Sequence, residues 1–305
     1  MKNQLYRILL SVVFLSWAMS SVAQLNPSPS QFFHNQMVQT VAATGVKDMT
    51  RFDMSFRNTL LNTFYGAPVN MYATFQTQLK NGGGVGLQFN GDNAGLLSRS
   101  RVMGSYALDL SKGATRIRLG IGLGMMMNRV NSKNGTLIRG DINDPALAEF
   151  NQQGAMVDGS IGFMMEKENG LQVLANIPSL GSIQQFSKYA SINYTVFNTM
   201  VKKRFNLGVS GDEYIKGMST IEPLIGFRMI HGGGDVIDMG AMFKYQEWIG
   251  FTAMYHTNSE YSFGVHIPYK DRMALNFTFN SGKVYSKNYF NVGGTLEGHV
   301  LINLK

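Results

Sequence analysis

Between Asn288 and Lys305 the side chains alternate in character more cleanly than anywhere else in the chain. Phe290, Val292, Gly294, Leu296, Gly298, Val300, Ile302 and Leu304 are apolar or small. The residues between them, among them Asn291, Thr295, Glu297, His299 and Asn303, are mostly polar. Successive side chains of a strand point to opposite faces, so this pattern reads as one long strand with an apolar face and a polar face. A helix would repeat every 3.6 residues, and no such repeat is present. Two architectures fit such a strand: a soluble sandwich, with the apolar face inward, or a membrane barrel, with the apolar face toward lipid.

The rest of the chain chooses between them. Alternating runs recur near 50–60, 69–79, 84–90, 98–110, 115–130, 155–167, 171–178, 190–206, 219–230, 235–246, 248–257, 260–269, 272–280 and 288–305, which makes about fourteen strands. Phe52, Met54 and Phe56, for example, alternate with Arg51, Asp53, Ser55 and Arg57, while Gly120, Gly122, Gly124 and Gly162 stand at polar-face positions. Connections after odd strands include long ones, at Asn131 to Gly154, at Ser179 to Tyr189 and around Gly282. Those after even strands are short, at Lys80–Gly83, Ser111–Ala114, Lys167–Gly170 and Tyr269–Asp271, with the segment around Gly211–Glu213 as the exception. This asymmetry is that of an outer-membrane barrel with both ends in the periplasm, and a soluble sandwich has no reason for it. Charged residues are only 15% of the chain while glycine numbers 34, a balance that suits a wall facing lipid. The expected fold is all-β: a transmembrane antiparallel up-and-down barrel over 50–305.

The N-terminus carries an address. Lys2 and Arg7 flank the start of an apolar run from Ile8 to Met19, and Ser21-Val22-Ala23 follows as a small-x-small site, so residues 1–23 read as a secretory signal peptide. With no cysteine in the chain, neither a lipid anchor on cysteine nor a disulfide is available. Beyond the leader no apolar run is long enough for a spanning helix, so insertion must be through strands. Residues 24–49, with Pro27, Pro29 and Gly45, read as a short N-terminal periplasmic segment.

If the apolar faces meet lipid, the polar faces line a lumen that collects Asp53, Asp109, Glu222, Asp238, Lys244, His256, Glu260, His266, Glu297 and His299 together with seven arginines. Those arginines, Arg51, Arg57, Arg99, Arg101, Arg116, Arg118 and Arg228, are the candidate partner-binding residues. Arg99, Arg101, Arg116 and Arg118 fall on neighbouring strands and are expected to form one basic wall. Either the arginines pair with lumen carboxylates and stiffen the wall, or they receive an acidic peptide or carboxylate group in bidentate contacts.

Other function classes fare worse. The formal charge of +8 is spread without a basic stripe, so nucleic acid is not an expected partner. No nucleophile motif is present, and no Ser-His arrangement is evident from spacing, so no enzyme is expected. His256 and His266 approach across a hairpin but lack a carboxylate at ligand spacing, so neither metal nor cofactor is expected. The glycine triplets at 82–84 and 232–234 lack the helix and lysine of a phosphate loop and read as turns. Trp248, Tyr255, Tyr261, Tyr269 and Tyr289 read as membrane-interface girdles.

Several local patterns, in their order, resemble the PorP/SprF family of type IX secretion system outer-membrane proteins of the Bacteroidota. They are Phe33-His34-Asn35 leading to Ala43-Thr44-Gly45, Arg51 with Arg57, Tyr65-Gly66-Ala67-Pro68, Asn90-Gly91-Asp92-Asn93-Ala94-Gly95, Tyr106-Ala107-Leu108-Asp109-Leu110, the glycine-rich 120–124, Asp144-Pro145 and Asp158-Gly159. The chain departs from the family in having Val41-Ala42-Ala43 where Asn-Pro-Ala is usual, and in lacking a Trp in the first strand, which marks a divergent member. The resemblance implies a non-enzymatic barrel in the outer membrane that binds, helps export or anchors secreted cell-surface proteins through their C-terminal sorting domain. It implies roles in gliding motility and adhesin anchoring for some members, and links to periplasmic type IX components for others. The alternative from the residues alone is an outer-membrane porin for small anionic solutes.

Overall fold

The computed structural model describes residues 32–46, 49–59, 69–94, 97–130, 151–152, 154–181, 194–209, 218–231, 235–246, 248–258, 260–281 and 294–304. The expected signal peptide, the long connection at Asn131 to Gly154 except its last few residues, most of Ser179 to Tyr189, the segment around Gly211–Glu213, the loop around Gly282, Tyr289, Tyr65–Pro68 and Asp144-Pro145 lie outside the described residues.

Fifteen strands form one sheet: β1 Arg51–Thr59, β2 Val69–Gln78, β3 Gly84–Ala94, β4 Leu97–Asp109, β5 Thr115–Val130, β6 Ala155–Lys167, β7 Leu171–Ile177, β8 Tyr194–Lys203, β9 Phe205–Val209, β10 Met218–His231, β11 Val236–Tyr245, β12 Ile249–His256, β13 Glu260–Tyr269, β14 Met273–Asn280 and β15 Thr295–Asn303. Apart from β8 and β9, neighbours in sequence pair antiparallel, and β1 also pairs with β15, so the sheet closes on itself. β8 and β9 are two halves of one wall strand, parted at Arg204, and both pair with β10. The wall is therefore a closed barrel of fourteen strands. Closure leaves no long unpaired edge in the hydrocarbon, the condition that lets strands cross a bilayer.

The alternation read from the sequence sorts the two faces. Met54 and Phe56 are exposed at 43% and 44%, while Asp53 and Ser55, which alternate with them, are buried inside. The same holds around the wall, where Leu87, Val102, Leu123, Ile225, Phe263 and Phe277 point outward. Trp248, Tyr261 and Tyr269 stand exposed at strand ends, and Tyr255 packs against Tyr261 with ring centres 5.2 Å apart, as a girdle requires. Short turns close one rim, and Gly82 and Gly170 supply the positive φ that two of them need.

The N-terminal segment departs from the expectation of a periplasmic extension. Its described part, residues 32–46, runs inside the barrel: a short helix, α1 Gln36–Gln39, is followed by a 3-10 turn at Val41–Ala43, and both are buried. Phe32, Phe33, Ala42 and Ala43 pack with Met164, Leu174, Met200, Leu224, Met242 and Met254 of the wall, so the barrel has a core of its own. The physical reason is space: a fourteen-strand lumen is wider than its own side chains fill, and an apolar segment beside it gains by burial.

Candidate functional site

The seat of this segment is a trough of small residues. Gly84 on β3 pairs with Ala107 on β4, Ala107 with Gly120 on β5, and Gly120 with Gly162 on β6, so four successive strands lack any side chain beyond Cβ at one level of the wall. Residues Thr40 to Thr44 lie across it. A Cβ on Gly120 would overlap the Ala42 backbone, one on Gly162 would come within 2.9 Å of the Ala42 nitrogen, and one on Gly86 within 2.8 Å of Thr44 Cγ2. Hydrogen bonds fix the register of the segment: Thr40 donates to Ala175 O (3.1 Å), Thr44 and Ser105 share a bond of 3.0 Å, Gly45 N donates to Gln76 Oε1 (2.9 Å), and Asn198 donates to Gln39 O (3.1 Å).

His34 and Asn35 dock beside the trough, on β1, β2 and β13. Asn35 donates to Thr74 Oγ1 at 2.9 Å, and Arg51 donates to His34 O at 2.5 Å while forking onto Asp53 at 2.7 Å. His34 stacks on His266, with ring centres 5.1 Å apart, and lies 6.0 Å from His299. Burial first, then the charges of His299, His266, Lys244 and Arg51, hold the His34 imidazole well below its ordinary pKa.

A chain of hydrogen bonds ties the wall on the side of the long connections. Arg57 donates to Thr295 (2.9 Å), which also bonds Asn280 (3.3 Å); Asn280 bonds Ser262 (2.5 Å), Ser262 bonds His256 Nε2 (3.0 Å), and His256 Nδ1 bonds Asp238 (2.5 Å). Arg228 then grips Asp238 at 2.6 and 2.7 Å. The strand register pairs Asp238 directly with His256, so the structure does bring serine, histidine and aspartate together, which spacing along the sequence did not reveal. Ser262, His256 and Asp238 are all buried in the wall, the Ser262 hydroxyl is shared with Asn280, and both Asp238 oxygens are held by Arg228, an arrangement suited to bracing. His256 and His266 do not face each other: His256 stands opposite Glu260, and His266 opposite Gly250 at the other end of the hairpin. No cluster of metal-binding side chains occurs among the described residues.

The seven arginines part into separate places. Register overturns the expected four-arginine wall: Arg101 stands opposite Met126 and Arg118 opposite Asp109, eight positions away along β5, which is about 26 Å at strand rise. Arg99, Arg101 and Arg228 line a cavity of about 100 Å³ above the plug, together with apolar Phe32, Met37, Met103 and Met126. Arg51 and Arg116 line a second cavity, of about 200 Å³, at the short-turn rim. Arg57 and Arg118 line neither. Most are engaged: Arg101 pairs with Asp158 at 2.6 Å, Arg99 donates to Asn128 at 2.9 Å, and Arg116 meets Glu166 at 3.5 Å. Arg118 is the least satisfied, fully buried but 4.0 Å from Asp109, with two guanidinium nitrogens lacking a hydrogen-bond partner.

Residues 21–297 match the family described as type IX secretion system membrane protein PorP/SprF. The chain belongs to the PorP/SprF family. The match takes in the plug, the trough and nearly the whole barrel, and it places this PorP/SprF protein in the outer membrane as part of a secretion system. Among solved structures the chain is similar in fold to Acinetobacter baumannii outer membrane protein Omp33, at 8% identity, TM-score 0.48, 86% of this chain and 100% of that one. It is also similar to the Pseudomonas putida toluene transporter TodX, at 10% identity, TM-score 0.43, 93% of each chain. No curated protein matches the sequence.

Proposed function

We propose that this PorP/SprF protein is a partner-binding barrel, which binds, helps export or anchors secreted surface proteins through their type IX C-terminal sorting domain. The observation that carries the reading is the filled lumen. A porin for small anionic solutes needs a continuous aqueous path, whereas here residues 32–46 are seated by hydrogen bonds on β2, β4, β7 and β8 and by a trough that fits their backbone. A barrel so filled is a rigid platform, and rigid wall elements hold a docking surface better than loops do. The surface offered to cargo is the cavity above the plug, where apolar Phe32, Met103 and Met126 line the same space as Arg99 and Arg101. An anchoring chain end that presents an apolar side chain and a carboxylate matches that pairing.

Two measurements test the proposal. Planar-bilayer recording of the native protein is expected to find a closed barrel, and a stable anion-selective pore would establish the porin instead. Pull-down of type IX cargo is expected to weaken about tenfold in Arg99→Gln, the loss of one charge-assisted contact. Full cargo retention by a folded Arg99→Gln barrel moves the docking site off this cavity.

A further inference from the structure

The cavity at the short-turn rim has a different character from the one above the plug. Its lining includes Arg51, Arg116, Lys202, Arg204 and Lys244, against the carboxylates of Glu166 and Glu222. Glu222 is already shared, bonded to Lys202 at 2.7 Å and to Arg204 at 3.1 Å, and Arg51 is occupied by Asp53. Lys244 has no ion-pair partner among the described residues. Arg116 meets Glu166 and Val46 O through Nη1, and Arg204 meets Glu222 through Nε, but side-chain exposures of 42% and 57% leave their remaining guanidinium nitrogens open to a ligand. The cations come from well-separated parts of the wall: Arg116 from β5, Lys202 from β8, Arg204 from the break between β8 and β9, and Lys244 from β11.

We infer that this vestibule is a binding site for an acidic peptide segment of a periplasmic protein, separate from the cargo site proposed above. Three features select that ligand. Among the described residues the excess of lining cations over carboxylates favours an anion, and partial burial reduces the screening that weakens such contacts on an open surface. The cations ring a mouth of about 200 Å³, which matches several carboxylates strung along one chain better than a single small anion. The site faces inward at the rim that outer-membrane barrels turn to the periplasm, so lipid headgroups, which border the outer face of the wall, do not reach it. Glu222 holds Lys202 and Arg204 in place, and Lys244 and Arg116 meet the ligand.

The test uses the full chain in detergent micelles and a fluorescein-labelled oligoglutamate peptide, read by fluorescence anisotropy at low ionic strength. Saturable binding is expected, weakened about tenfold by Lys244→Gln and again by Arg116→Gln, and retained in Lys244→Arg. Lys203→Gln, which removes a cation packed against the Phe205 ring rather than lining the vestibule, is expected to leave binding unchanged. Heat-modifiable gel migration establishes that each variant is folded. Folded Lys244→Gln and Arg116→Gln barrels that bind as tightly as the parent overturn the proposal. So does displacement of the peptide by inorganic phosphate at the peptide's own concentration, which reveals a small-anion hole instead. Arg99→Gln is expected to bind the peptide normally, so this site and the cargo site stand or fall separately.

Discussion

Arg101 and Arg118 are both buried arginines of the lumen wall, yet the structure gives them opposite energetic roles. Arg101 lies 2.6 Å from Asp158, whose other oxygen takes Ser179 and the Gly181 amide, so Arg101→Ala strands a buried carboxylate. That loss is expected to cost about 3 to 5 kcal/mol in urea unfolding from lipid vesicles. Arg118 stands 4.0 Å from its acid with guanidinium nitrogens unmet, so Arg118→Met is expected to be neutral or stabilising in the same measurement. His34 makes a prediction about pH. Its pKa is lowered when docked against His266, His299, Lys244 and Arg51, so the docked segment binds fewer protons than the free one. Docking is therefore at full strength above the free imidazole value of about 6.5 and weakens as pH falls below it. Bilayer conductance is expected to rise on acidification and to lose that response in His34→Phe, which keeps the stacking and removes the charge. A conductance that ignores pH places the control of the plug elsewhere.

Among the elements, the trough formed by β3 to β6 decides whether the barrel is filled or open. Strand pairing does not need Gly120 or Gly162, and a β-branched residue is a better strand former than glycine at either position. Docking of the segment does need them, because a Cβ at either position meets the backbone of Ala42. Gly120→Val and Gly162→Val are thus expected to assemble as heat-modifiable barrels that conduct in planar bilayers, while Gly104→Ala, whose added Cβ has its nearest neighbour at 3.9 Å, stays closed. A closed Gly120→Val barrel would mean that the segment has a second seat. Glycines 120 and 162 were visible in the sequence as anomalies on a polar face. Their partner was not, because the contact joins residues far apart in the chain and obeys no period. The same limit hid the Asp238–His256 pair, which strand register creates.

At the scale of the whole molecule, orientation follows from the two rims. Because the chain contains no cysteine, single cysteines report sidedness without background. Gln152→Cys, exposed near the end of the long connection before β6, is expected to react with an impermeant maleimide on intact cells. Glu168→Cys, exposed in the short turn after β6, is expected to react only after permeabilisation. The reverse pattern would invert the barrel and put the basic vestibule on the cell surface.

Strand number, the outward apolar face and the membrane setting were legible in the sequence, because each depends on side-chain alternation that repeats every two residues and on the lengths of neighbouring connections. The inward position of the arginines was legible for the same reason. Where each arginine sits along the barrel axis was not, since antiparallel pairing sent Arg101 and Arg118 toward opposite ends of one hairpin. Nor did local pattern place residues 32–46, whose helix and 3-10 turn are too short to carry a period. Only the closed barrel, with a lumen wider than its side chains and a trough of small residues across four strands, creates the space that draws them inside.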